Sequence, residues 1–248
     1  MNINACIVIP CYNEEKRLII LKNQYYSFIE EHDDILLCFV NDGSTDGTLK
    51  QLEIYKAQFK DRIEVVASIE NVGKAEAIRK GVLHCNRTYN HKYIAYLDAD
   101  LSTSLNECSR LISYLEEHKE LSFVFASRML KIGSVIERQK HRFLIGRIIA
   151  TMISRVLDIK TYDTQCGCKI FTKYISHALF EEKFISKWLF DVELFFRMIH
   201  YYGKEKAIKK MIEIPLELWV DKGESKVKYS YFFQLWIDLY KIRSRYSN

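Results

Sequence analysis

Continuous apolar runs alternate with stretches of helical spacing along the first half of the chain. Ala5-Cys6-Ile7-Val8-Ile9-Pro10 ends in a Pro/Asn-rich turn, as a buried parallel strand does. Residues 14–30 then carry apolar side chains at helical intervals, through Leu18, Leu21, Tyr25 and Phe28 or Ile29. Ile35-Leu36-Leu37-Cys38-Phe39-Val40 reads as a second strand breaking at Asn41-Asp42-Gly43-Ser44, with a helix expected from about Thr45-Asp46. Residues 63–69 and Tyr93-Ile94-Ala95-Tyr96-Leu97 are further strands with a short helix at 74–85 between them; a helix at 105–117 and a strand at 121–126 follow. Past Arg128 the alternation stops. A basic amphipathic segment at 134–158 precedes a loop or strand at 163–171, a helix at 190–201, a strand at 211–220 and a last helix from 229.

This order predicts an α/β fold, a mostly parallel sheet flanked by helices on both faces, with amphipathic helices at the C-terminal end. Ligands of such sheets sit outside the carboxyl ends of the strands. Pro10-Cys11-Tyr12-Asn13-Glu14, Asn41-Asp42-Gly43-Ser44 and Asp98-Ala99-Asp100 all fall there, so three polar turns are expected to converge on one rim.

Composition narrows the class. With 248 residues, 48% hydrophobic content and only two prolines, a packed core is expected and disorder is excluded. A net charge of +5 fits anionic partners such as phosphates or an acidic lipid surface without selecting among them. Nothing points to nucleic acid. The seven cysteines are an odd number, and Cys6 and Cys38 lie in strand-like runs, which suits reduced, buried thiols. Cys166-Gly167-Cys168 lacks a second ligand pair at zinc spacing and reads as structural. Met1 leads straight into a strand, so neither a signal peptide nor an N-terminal anchor is expected. The longest apolar helical stretch, 143–157, carries Arg147 and Arg155 and spans roughly 22 Å, short of the ~30 Å hydrocarbon core.

Asp98-Ala99-Asp100 carries the most chemistry. Two carboxylates one residue apart at a strand end can grip a divalent cation from one side, leaving its other positions to water and phosphate oxygens, as Mg²⁺ favours. Asp42, ahead of Gly43-Ser44, is placed to accept hydrogen bonds from a base or ribose hydroxyl; the same residues also suit a turn with no ligand.

Together, Val8-Ile9-Pro10-Cys11-Tyr12-Asn13-Glu14-Glu15, Val40-Asn41-Asp42-Gly43-Ser44-Thr45-Asp46-Gly47-Thr48, Asn71-Val72-Gly73-Lys74 and Asp98-Ala99-Asp100 resemble the inverting family 2 glycosyltransferases of GT-A (Rossmann-like) fold. The resemblance implies a nucleotide-sugar donor held by Pro10, Tyr12, Glu14 and Asp42 around base and ribose. It implies Mg²⁺ or Mn²⁺ at Asp98 and Asp100, and Lys74 beside the nucleotide or diphosphate. Asp163-Thr164-Gln165-Cys166-Gly167-Cys168-Lys169-Ile170-Phe171, Trp188-Leu189-Phe190-Asp191-Val192-Glu193-Leu194 and Trp219 followed by Ser225-Lys226 look like the dolichyl-phosphate β-glucosyltransferase branch. That branch implies transfer of a hexose, glucose from UDP-glucose foremost, to a polyprenyl phosphate. Cys168 stands where the branch usually has an aromatic residue, and Gly223-Glu224-Ser225-Lys226 carries an insertion in its G-S-K. Residues 1–128 are then expected to bind the nucleotide sugar, 129–228 the acceptor, and 229–248 to form a C-terminal amphipathic helix.

A lipid phosphate is already largely ionised near neutral pH, with a second pKa of about 6, so it needs positioning more than a general base. Arg128 is the first choice for gripping it, with Arg138 and Arg142 behind, because guanidinium suits bidentate phosphate recognition. Asp191 and Glu193 sit in apolar surroundings that demand a partner. One of them is read as orienting donor-sugar hydroxyls or the acceptor, or as the base if the acceptor is a hydroxyl; the alternative for both is a salt bridge to Lys169 or Arg197. Gln165 is expected at the sugar or diphosphate, Trp188 stacked on the sugar, and Lys226 closing over the diphosphate. The face of 143–157 and the last helix, with Phe232, Phe233, Leu235, Trp236 and Tyr240, suit an anionic membrane interface, a homodimer partner or the domain itself. The expected location is the cytoplasmic, inner membrane surface. The rival readings are a family 2 transferase acting on a soluble or cell-surface glycan hydroxyl, a nucleotidyltransferase, and a non-catalytic binding module. Pro10-Cys11-Tyr12-Asn13-Glu14 lacks the Gly-rich loop of the second, and intact Asp98 and Asp100 argue against the third.

Overall fold

The computed structural model of the chain describes residues 3–137, 140–222 and 231–246, without the side chains of 140–145 and 231–233. Strands β1 (Ala5–Cys11), β2 (Ile35–Asp42), β3 (Ile63–Ser68) and β4 (Tyr93–Leu97) alternate with helices α1 (Glu15–Glu31), α2 (Thr48–Gln58) and α3 (Lys74–Thr88). Next come α4 (Leu105–Glu117), β5 (Phe123–Ser127), the short β6 (Val135–Glu137) and α5 (Lys140–Leu157). The chain continues through β7 (Cys168–Thr172), α6 (Lys173–Phe180), α7 (Phe190–Tyr202), α8 (Lys204–Lys210), β8 (Met211–Pro215), β9 (Leu218–Val220) and α9 (Tyr231–Tyr246).

Seven strands form one sheet in the order β3-β2-β1-β4-β7-β5-β8, while β6 and β9 pair separately. All neighbours in the main sheet are parallel except β7, which runs antiparallel between β4 and β5. Side-chain parity along the strands splits the core in two. Cys6, Val8, Cys38, Val40, Ile94 and Tyr96 face α3, α6 and α7. Ala5, Ile7, Ile9, Leu37, Phe39, Ala95 and Leu97 face α1, α2 and α4. The predicted elements of the first half are present with ends moved by a few residues. Three features of the second half differ. The strand expected over 211–220 is two strands broken at Leu216; α6 and α8 come from segments too short to show a helical period; and 134–158 opens with a strand. All seven cysteines are free and buried, as expected of reduced thiols.

α5 divides its apolar face. Ile153 and Leu157 are buried in the first core, while Ile148 and Met152 stay exposed. Beside them, Leu235 and Leu239 of α9 are buried and Trp236, Ile237 and Tyr240 are exposed, so the two helices flank an apolar cleft. No helix among the described residues is long and apolar enough to cross a membrane.

Gly81 sets how closely α3 approaches the sheet, since a Cβ there would stand 2.4 Å from Val8 Cγ1 and 2.7 Å from Val40 Cγ2. At Gly146 of α5 an added Cβ meets nothing within 4 Å. Gly81→Ala should therefore destabilise by ~1–3 kcal/mol through overpacking. Gly146→Ala should stabilise by up to ~1 kcal/mol through helix propensity. Urea denaturation of both variants tests the pair, and two shifts of the same sign would contradict the packing.

Candidate active site

The turns after β1 and β2 are laced together. Asn13, at φ 55°, donates its N–H to Ser44 Oγ at 3.0 Å and accepts from the Thr45 N–H at 2.9 Å. The Glu14 N–H donates to Thr48 Oγ1 at 2.8 Å, and the Glu14 carboxylate pairs with Arg17. Gly43, at φ 65°, leaves no room for a side chain, because a Cβ would lie 2.3 Å from the Glu70 carbonyl carbon. Asp42 is buried, and its two oxygens accept from the Val72 and Gly73 N–H groups at 3.0 and 2.8 Å. It thereby presents Asn71-Val72-Gly73 and, one residue on, Lys74. Pro10 lies within β1 and Tyr12 is exposed just past its end.

Asp98 and Asp100 follow β4 on the same rim. Lys74 Nζ stands 2.5 Å from Asp98 Oδ1 and 5.8 Å from the centre of the Phe190 ring. Burial pulls the Lys74 ammonium down, but Asp98, then Asp191 and Asp100, hold it above the usual lysine range. Asp100 Oδ1 accepts from the Ser102 N–H at 2.8 Å, and the buried Tyr25 hydroxyl donates to the Ala99 carbonyl at 3.0 Å, fixing the turn between the carboxylates. Gly167 gives Asp98 its space, since a Cβ there would meet Asp98 Oδ2 at 2.2 Å. No cluster of three or more His, Cys, Asp or Glu among the described residues suits a metal. The donor set is two half-exposed carboxylates in a cradle kept open by a glycine, which fits a cation whose remaining ligands are phosphate and water.

Arg128, just past β5, is not an isolated guanidinium. Its Nε and Nη2 grip Asp163 Oδ2 and Oδ1 at 2.6 and 2.8 Å, and its guanidinium carbon lies 5.5 Å from the Trp219 ring centre. Glu213 of β8 fixes that loop by accepting from the Tyr162 and Asp163 N–H groups, both at 2.7 Å. The Gln165 N–H donates to Asp163 Oδ1 at 3.2 Å.

Asp191 and Glu193 part company. Asp191, in the first turn of α7, accepts from the buried Lys169 ammonium at 2.5 Å and from the Tyr96 hydroxyl. Burial and then Asp191 hold the Tyr96 phenol well above its usual range, so it stays a donor. Asp191 is therefore a paired carboxylate that still reaches Lys74 electrostatically. Glu193 is enclosed on the far side. It accepts from Arg197 Nε and Nη2 at 3.1 and 2.7 Å, from the Tyr246 hydroxyl at 3.1 Å and from the Ile185 N–H at 2.8 Å. The expectation that Glu193 orients ligands or acts as a base is corrected: two residues along a helix is about 200° of rotation, which turns it into the core.

Lys226 and Arg138 lie outside the described residues, as does the side chain of Arg142. Tyr25, Tyr96, Gly167 and Glu213 were not singled out by sequence reasoning. Tyr96 alone had a usable signal, because it lies two residues before Asp98 and so shares its face of the strand.

The Glycosyl transferase family 2 profile matches residues 6–180. The chain is 30% identical over 259 residues to the dolichyl-phosphate beta-glucosyltransferase of Dictyostelium discoideum, covering 99% of this chain and 75% of that protein. It is 28% identical to the dolichyl-phosphate beta-glucosyltransferase of Homo sapiens, covering 97% and 75%. Among solved structures, glucosyl-3-phosphoglycerate synthase from Mycobacterium tuberculosis in complex with Mn²⁺, UDP and glucosyl-3-phosphoglycerate superposes with a TM-score of 0.66 at 15% identity, covering 98% of this chain and 80% of that one.

Asp191→Ala would strand the Lys169 charge in the core and should cost ~3–5 kcal/mol of unfolding free energy. Replacing both partners, Lys169→Met with Asp191→Leu, should recover most of that loss. Chemical denaturation reads both, and an Asp191→Ala loss below ~1 kcal/mol would rule out a buried ion pair here.

Proposed function

The chain belongs to glycosyl transferase family 2, and we propose that it moves glucose from UDP-glucose to a polyprenyl phosphate at a membrane surface. Its α/β fold is of the GT-A type. One observation carries the choice of acceptor: both carboxylates that could have served as general base are held in salt bridges, Asp191 by Lys169 and Glu193 by Arg197. A hydroxyl acceptor has to lose a proton, whereas a phosphate monoester arrives ionised. The near full-length similarity to dolichyl-phosphate glucosyltransferases supports the same acceptor class.

In this reading Pro10, Tyr12, Glu14 and Asp42 hold the uridine and ribose, and Lys74 neutralises the diphosphate. Asp98 and Asp100 would hold Mg²⁺ or Mn²⁺, which when bound stabilises charge on the departing diphosphate. Arg128, kept in place by Asp163, orients the acceptor phosphate, and Gln165 and Trp188 face the sugar. An acceptor phosphate oxygen forms the new bond to the anomeric carbon as the bond from that carbon to the β-phosphate oxygen breaks, with inversion, and UDP leaves.

The α5/α9 cleft is the membrane-contact surface. Ile148, Met152, Trp236 and Tyr240 present apolar and aromatic surface, and Arg155, Lys241 and Arg243 are exposed around them. Trp and Tyr suit the headgroup boundary, and exposed cations favour an anionic leaflet. Seven reduced cysteines support a cytoplasmic side.

UDP release from UDP-glucose with Mg²⁺ or Mn²⁺ should depend on a short polyprenyl phosphate and stop with EDTA. Asp100→Asn should lower turnover by ~100-fold or more. Arg128→Lys, which keeps a charge for Asp163 but loses the fork, should raise the KM for lipid phosphate about ten-fold and leave UDP affinity unchanged. Release indifferent to lipid with every donor would transfer the assignment to a soluble acceptor. In co-sedimentation, the protein should bind vesicles containing phosphatidylserine more than neutral ones, and Ile148→Ser with Trp236→Ala should leave it in the supernatant. Undiminished binding by that double variant would remove the cleft from the membrane contact.

A further inference from the structure

The segment joining α6 to α7 is braced from three helices. Every backbone carbonyl from Leu179 to Lys183 accepts from a guanidinium. Arg79 of α3 donates to Phe180 and Glu181 at 3.3 and 2.8 Å, and Arg197 of α7 donates to Leu179, Glu182 and Lys183 at 2.7, 2.9 and 2.8 Å. The Ile185 N–H donates to Glu193 at 2.8 Å, and the Ser186 hydroxyl is bound to Asp238 of α9. Leu179 and Phe180 end α6 and need donors for their carbonyls in any case. The carbonyls of Glu181, Glu182 and Lys183 lie beyond the helix, and holding them fixes the course of the chain.

That chain delivers Lys187, the residue after Ser186. Its stem crosses Gly73, with Cδ 3.5 Å and Cγ 3.8 Å from where a Cβ on Gly73 would stand. The Gly73 N–H is held by Asp42, and the next residue is Lys74. Lys187 therefore lies over the loop that Asp42 presents, beside the cation at the carboxylate pair. Lys74, Arg128, Lys169 and Arg17 each have a carboxylate of their own. Lys187 is exposed, and among the described residues no carboxylate pairs with it.

We propose that Lys187 binds the diphosphate of the donor and is held over Gly73 for that purpose by the Arg79 and Arg197 brace. The inference rests on the nucleotide-sugar reading of this site. Lys74 has to divide its charge between Asp98 and a phosphate. Lys187 has no such ion pair to give up, so an arriving phosphate meets its whole charge. A lysine on a loose loop would also lose the freedom of the loop on binding, a cost that the brace removes in advance. The stem already lies along Gly73, which leaves only the end of the side chain to order. Glu193 and Arg197 face the core, and through this segment they become positioning residues for a group on the rim.

Titration calorimetry with UDP at saturating Mn²⁺, and displacement of UDP by uridine, test this without turnover. Lys187→Gln should weaken UDP about ten-fold, the worth of a charge-assisted phosphate contact, and leave uridine within about two-fold. Lys187→Arg keeps the charge and should keep most of the UDP affinity. Lys183→Gln removes an exposed lysine from the same segment, where the braced group is its carbonyl, and should change neither ligand. Thermal melts establish that the variants are folded. A folded Lys187→Gln protein that binds UDP as tightly as the unmodified one would overturn the role of Lys187 while leaving the nucleotide site standing. An equal loss for uridine, or an equal loss in Lys183→Gln, would overturn the phosphate contact. Failure of the unmodified protein to bind UDP would instead overturn the reading on which the inference rests.

Discussion

Lys169 is fully buried in the strand that runs against the grain of the sheet, and the placement of the site follows from keeping its charge there. An ammonium in the core must be paired and hydrogen-bonded. Its partners are Asp191 from α7 and the carbonyl of Cys166 in its own chain segment. The pairing register sets Lys169 opposite Tyr96 and Cys168 opposite Leu97, which brings Gly167 against Asp98. A slip of one residue would turn Lys169 to the other face of the sheet, away from Asp191. The buried pair is weak evidence for added stability, since desolvation offsets much of its attraction. What it supplies in this structure is register, and with it the open cradle beside Asp98.

Charge around the rim is balanced locally. Asp98 has Lys74, Asp191 has Lys169, Asp163 has Arg128 and Glu14 has Arg17. A dianionic diphosphate entering such a site meets cations already held at defined positions, so little reorganisation is needed when charge develops on it. The same balance leaves the Lys74 ammonium held above its usual range by Asp98, then Asp191 and Asp100, against the pull of burial.

Strands β1, β2 and β4 and their three turns were legible because parallel strands buried on both faces are continuous apolar runs, and these runs end at Pro10, Asn41 and Asp98. The rim was legible for the same reason. The direction of β7 was not, because Cys168-Lys169-Ile170-Phe171 reads the same in either orientation and only the tertiary pairing decides it. Asp191 and Glu193 show the limit at single residues. Both sit in one apolar stretch and both have a basic partner in the chain, Lys169 and Arg197. Which of them reaches the site depends on how α7 is rotated, and that is set by packing of Phe190 and Phe195 against Tyr96, Phe123 and Phe125, remote in sequence. Gly167 escaped notice because Cys166-Gly167-Cys168 was weighed for its cysteines and read as structural, when the contribution of the glycine is the absence of a side chain beside Asp98.

α9 is joined to the rim by a short chain of hydrogen bonds. Asp238 accepts from the Ser186 hydroxyl at 2.6 Å, and Ser186 Oγ in turn accepts from the Trp188 and Leu189 N–H groups at 3.2 and 2.9 Å. That turn leads directly into Phe190 and Asp191, and Phe190 lies over Lys74. The helix that presents Trp236 and Tyr240 to the outside therefore shares a hydrogen-bonded corner with the segment that leads to Phe190, Asp191 and Lys74. Were the acceptor anchored in a bilayer, as proposed above, the height and tilt of the site over the surface would matter as much as its chemistry. A corner with both hydroxyl and carboxylate satisfied transmits the position of α9 to that site with little slack.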